Sequence, residues 1–156
     1  MNLFSLMLLR GLLTVSMALA ALTAAAAADT DRYQVVDGVA IYLGLMPAEM
    51  VLGHPRQFPE KEMHGGIPQG KDRYHVVIAL FDDATGKRIS SAQVIATVSE
   101  AGSAGQRKAL ERMNIHNTKT YGNWFILSGH GPYRVHLEIA GIRGKGRIET
   151  EFEYKP

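Results

Sequence analysis

Tyr133-Arg134-Val135-His136-Leu137-Glu138-Ile139-Ala140 alternates apolar and polar side chains along its whole length. A period of two marks a strand with one buried and one wet face. Tyr133, Val135, Leu137 and Ile139 are therefore expected in a core, and His136 on the solvent side. Immediately upstream, Ser128-Gly129-His130-Gly131-Pro132 has the composition of a turn, and Trp124 to Leu127 reads as another strand. Downstream, a glycine-rich and basic turn from Gly141 to Gly146 leads into a last strand, Ile148 to Tyr154.

The same reading extends toward the N-terminus. Tyr33 to Val36 and Val39 to Leu43 flank Asp37-Gly38, the dipeptide preferred in a two-residue hairpin because both turn positions need positive φ. Tyr74 to Phe81 is apolar at nearly every position and rich in Val and Ile, which predicts a central strand covered on both faces. A polar turn from Asp82 to Lys87 follows, with Ile89 to Val98 as the returning partner strand. Ser99 to Arg112 carries two glycines, and its second half, Gln106 to Arg112, reads as at most a turn or two of helix. About seven strands with short turns predict an all-β, antiparallel sandwich of Ig-like or cupredoxin-like type.

Residues 1–28 stand apart from that pattern. Arg10 is their only charged residue, an apolar run follows it, and Ala26 and Ala28 form the small Ala-x-Ala pattern of a cleavage site. We read 1–28 as an export signal and 29–156 as one domain, placing the mature protein in the periplasm. The chain is nearly neutral, at +2 overall, and has no basic block, which argues against a nucleic-acid partner. It contains no cysteine, which removes disulfides, thiolate metal sites and CxxC chemistry. Any soft ligand must then be a methionine.

Met46 to Gly70 holds four prolines and four glycines, a composition that breaks helices and strands, with a short helical turn expected near Ala48 to Leu52. Met63 and His64 lie inside this stretch, and His75 heads the strand after it. Met113 and His116 form a second pair of donors further on. Imidazole suits copper, zinc and iron, and thioether selects Cu(I), so this set points to copper before zinc. Each residue also has a plain structural reading. A histidine before an apolar strand is commonly hydrogen-bonded, and a lone methionine commonly fills a gap in a core.

Several short motifs together resemble the periplasmic P19 and Tp34 type proteins associated with ferrous iron uptake. Asp37-Gly-Val-Ala-Ile-Tyr-Leu43 looks like that family's first hairpin, and Glu60-Lys-Glu-Met-His64 like its acidic segment ending in histidine. Asp83-Ala-Thr-Gly-Lys87 resembles its Asp-x-Thr-Gly turn, and Met113 followed by Tyr121-Gly-Asn123 its Met to Tyr-Gly motif. A more general likeness extends to YtkA-like and CopC-like domains. The resemblance implies a dimeric β-sandwich binding copper or iron, with Met113, Glu60 and His64 at ligand-associated positions. Phe58 and Thr120 stand where that family carries histidines.

The expected function is a transition-metal binding protein holding a copper or iron ion through His64, Met113, His75 and His116. Its partner would be a membrane metal transporter or another envelope protein, and a homodimer is compatible with the resemblance. No nucleophile elbow, phosphate loop or zinc-protease motif occurs, so no enzyme, organic cofactor or small-molecule substrate is expected. The alternative is a metal-free, Ig-like adaptor that recruits an envelope protein through an exposed edge strand.

Overall fold

The computed structural model describes residues 32–53, 65–115 and 118–156. The segment read as an export signal lies outside those residues, as do His54, Phe58, Glu60, Met63, His64 and His116. The elements run β1 (Tyr33–Val36), β2 (Val39–Pro47), α1 (Ala48–Gly53), β3 (Arg73–Asp82), β4 (Gln93–Glu100), β5 (Gln106–Ile115), β6 (Thr118–Ile126), β7 (Tyr133–Ala140) and β8 (Ile148–Tyr154).

All strand pairs are antiparallel, and the eight strands follow the order β1-β2-β3-β6-β5-β4-β7-β8 in one nearly closed, barrel-like sheet. The Asp37-Gly38 turn forms as its sequence requires, with φ of 50° and 69° at its two positions and Val36 facing Val39. Strand alternation fills the interior. Val39, Ile41 and Leu43 of β2 meet Val76, Ile78 and Leu80 of β3, and Val94, Ala96 and Val98 of β4 meet Val135, Leu137 and Ile139 of β7. Tyr121 is also inside, its hydroxyl accepting from the Ala92 N–H at 2.9 Å and donating to the Ile89 carbonyl at 3.4 Å. Burial pushes this phenol's pKa up.

Two expectations fail. Gln106 to Arg112 is not helical but belongs to the ten-residue strand β5. Strand β4 is not the partner of β3: only the isolated Phe81–Arg88 bridge joins β3 to the chain entering β4. Strand β4 lies between β5 and β7, while β3 lies between β2 and β6.

Strand β5 makes this arrangement by changing partners midway. Gln106 to Leu110 pair with β4, and Glu111 to Ile115 pair with β6. Where β5 leaves β6, side chains take over the backbone's hydrogen bonds. The Gln106 amide donates to the Ile126 carbonyl at 2.7 Å and accepts from its N–H at 3.1 Å. Lys108 donates to the Trp124 carbonyl at 2.6 Å, and Asn123 to the Ala109 carbonyl at 2.9 Å. Backbone groups deprived of a ladder are thereby satisfied.

The remaining seam, between β1 and β8, is closed by side chains as well. Gln34 donates to the Glu151 carbonyl at 2.8 Å and accepts from the Thr150 hydroxyl. Lys145 donates to the Asp37 carbonyl at 2.6 Å, tying the β1–β2 turn to the β7–β8 connection.

Candidate metal centre

Because Val76, Ile78 and Leu80 point inward, His75 must project from the opposite face of β3. That face is not wet here. His75 is opposite Met46 of β2 and Trp124 of β6 in the strand register. Helix α1 lies over this end of the sheet, where Ala48 and Val51 form a second apolar cluster with Trp124, joined by Met46 and Ile67. The helix begins directly after Pro47, which ends β2, and it shields His75 from water. His75 is 0% exposed, and its imidazole stacks on the Trp124 ring with centroids 4.6 Å apart and planes 25° from parallel.

Met113 reaches the same place from β5. It is opposite Thr120 in the register, and Glu111 is opposite Gly122. Gly122 also pairs with Val77 of β3, so it lies between the strands that carry the two donors. A Cβ on Gly122 would fall 2.6 Å from Met113 Cε, 2.9 Å from His75 Nε2 and 3.0 Å from the Val76 carbonyl oxygen. The imidazole and the Met113 side chain therefore meet over Gly122, in the space that a side chain there would take. Met113 is only 2% exposed.

Two polar atoms next to this meeting point have no hydrogen-bond partner among the described residues: the Thr120 hydroxyl and the Trp124 indole N–H. Burying such groups without partners costs about 1–3 kcal/mol each. An apolar sheath around one imidazole and one thioether suits a soft, borderline ion better than a hard one. Structural transition-metal sites hold an ion with about four donors, and the described residues supply two of the expected set.

Of the four expected ligands, His75 and Met113 are thus brought together, while His64 and His116 lie outside the described residues. Among the described residues, no three His, Cys, Asp or Glu side chains are grouped to hold an ion. His130 is exposed in the β6–β7 connection, and His136 is on β7 opposite Thr97 and Glu151, away from His75. Trp124 is not part of the main core but of the second cluster on the outer face. Sequence reading did not single out Gly122 or the stacking of Trp124 on His75. The only signal for either was the Tyr121-Gly-Asn-Trp run, which becomes informative once the β3–β6 register is known.

No protein-family model matches the chain, and no curated protein matches it. Solved structures do match in fold. "As isolated" FetP of uropathogenic Escherichia coli strain F11 superposes with a TM-score of 0.62 at 15% identity, covering 80% of this chain and 92% of its own. A copper-bound single-residue variant of that FetP gives a TM-score of 0.61 at 15% identity, covering 80% and 93%. A DUF4426 family protein of Pseudomonas aeruginosa PAO1 gives 0.57 at 11% identity, covering 80% and 96%. The resemblance to P19-type proteins therefore holds at the level of the fold.

Proposed function

We propose that this protein binds a transition metal, copper or ferrous iron, in the periplasm and serves an uptake or delivery system as a carrier rather than a catalyst. The observation that carries this reading is the convergence of the His75 imidazole and the Met113 side chain over Gly122, beside the apolar cluster under helix α1. The unpartnered Thr120 hydroxyl and Trp124 N–H beside it, and the likeness in fold to a copper-bound FetP variant, support it. His64 and His116 would complete the ligand set, with a membrane metal transporter as the recipient.

The test is metal retention. The mature protein, loaded anaerobically with Cu(I) or Fe(II) and aerobically with Cu(II), is passed through a desalting column and its bound metal measured. One equivalent of one of these ions is expected, lost in His75→Ala and Met113→Ala and weakened in His64→Ala. Retention unchanged in the double variant His75→Ala, Met113→Ala would overturn the reading. A co-purifying envelope protein indifferent to chelation would instead favour a metal-free adaptor.

A further inference from the structure

On the outer face of β1, β2 and β3, well away from His75, three aromatic rings surround a small residue. Tyr33 is directly opposite Tyr42 in the register, while Ala40 is opposite both Val35 and Phe81. Ala40 thus forms a floor only one methyl deep, and the larger rings rise around it. The Tyr33 and Tyr42 rings are 4.7 Å apart and tilted by 40°, and Tyr42 meets Phe81 edge to face at 5.5 Å and 81°. The rings turn a corner instead of lying flat. With Asp82, Asp83 and Gly86 they line a pocket of about 290 Å³. Tyr33 and Tyr42 remain 37% and 44% exposed, so the rings are available to a ligand.

The acidic end of this pocket is held in place. The Asp83 N–H donates to the Gly38 carbonyl at 3.1 Å, which fastens the β3–β4 turn to the β1–β2 turn. Asp82 is engaged, since its carboxylate accepts from the Thr85 hydroxyl at 2.6 Å and the Thr85 N–H at 2.9 Å. Lys87 and Lys145 also act on Asp82. Asp83 is left as the carboxylate to face a ligand, near enough to Tyr33 that its charge adds to burial and to Tyr42 in raising that phenol's pKa. The cluster already holds one cation: the Arg88 guanidinium sits 4.3 Å from the Phe81 centroid, and Arg88 does not line the pocket.

Ring faces carry negative potential, and a cation within about 6 Å of a ring centroid is attracted to it. Rings at a corner with a carboxylate at the rim favour a bulky, weakly hydrated cation over a neutral group of the same shape. We infer that the pocket lined by Tyr33, Tyr42, Phe81 and Asp83 binds a small organic cation bearing a quaternary ammonium head.

The probe is choline, titrated into the folded protein while the ring resonances of Tyr33, Tyr42 and Phe81 are followed by NMR. Its neutral isostere, 3,3-dimethylbutan-1-ol, is titrated in parallel. Saturable shifts with choline are expected, with binding about tenfold tighter than for the neutral isostere. Tyr42→Ala and Asp83→Asn should each weaken choline severalfold, and Tyr42→Phe, which keeps the ring, should not. Equal binding of choline and the neutral isostere, or no saturable shift, would each overturn the assignment.

Discussion

Gly122→Ala tests the centre at its narrowest point. The backbone at Gly122 does not require glycine, because its φ is not in the positive region that excludes side chains. Replacing a strand glycine should then stabilise the fold by about 0.4–1 kcal/mol through the unfolded chain alone. The added methyl opposes this. It would stand 2.6 Å from Met113 Cε, 2.9 Å from His75 Nε2 and 3.0 Å from the Val76 carbonyl oxygen. Met113 is flexible and can swing aside, but the His75 ring is stacked on Trp124, and Val76 is held in the β3–β6 ladder. Overpacking of this kind costs about 1–3 kcal/mol, so we expect a net loss of about 0.5–2 kcal/mol. Urea unfolding should show it directly, accompanied by a fall in melting temperature of roughly 2–8 °C. Metal retention should fall more steeply than stability, because the methyl drives the two donors apart. Adding Met113→Ala should restore neither, because the contacts with His75 and the Val76 carbonyl remain and a buried methionine is lost. A Gly122→Ala protein as stable as the parent and retaining metal equally well would refute both the packing argument and the site.

Thr120→Val removes a buried hydroxyl that has no partner among the described residues while keeping its shape. The metal-free protein should gain about 1 kcal/mol in chemical denaturation, and a loss would reveal a partner for the hydroxyl. Gln106→Ala leaves the Ile126 N–H and carbonyl without their substitute strand and should cost about 1–2 kcal/mol. Amide exchange should accelerate at Ile126 before it does so in β3. Glu138 receives hydrogen bonds from Arg107 at 3.1 and 3.0 Å and pairs with Arg147. The Arg107 hydrogen bonds hold its pKa below the ordinary value of 4.5. A depressed carboxylate stabilises the fold above its unfolded pKa and loses that contribution as pH falls through the folded one. Glu138→Gln should therefore lower stability at neutral pH and flatten its decline in acid, as read from melting temperatures across pH.

The parts of the fold legible in the sequence were those in which local chemistry and tertiary need agree. Asp37-Gly38 specified its hairpin through φ alone, and the alternation from Tyr133 to Ala140 gave the faces of β7 correctly. Strand β5 was misread because Gln-Arg-Lys-Ala-Leu-Glu-Arg is built of good helix formers, and pairing to β4 and β6 overrides that preference. The misplaced partner of β3 has a different cause. Strands adjacent in sequence usually pair, but here the turn after Asp82 crosses to the other half of the barrel. At the site, donor chemistry singled out His75 and Met113 without any geometry. What joins them is a register three strands wide with a glycine at its centre, and periodicity within one segment carries no information about register.

The Gln34 clasp has a consequence in time. It joins residues 117 positions apart in the chain, and the strands it joins are the first and the last. A chain emerging N-terminus first thus carries β1 as an open edge until β8 has appeared, after every other strand is available to fold. Contacts this distant in sequence form late, because the loop they close must first be drawn in. A chain cut short before Glu151 would keep two unguarded edges and no means of closing them, an invitation to pair with its neighbours.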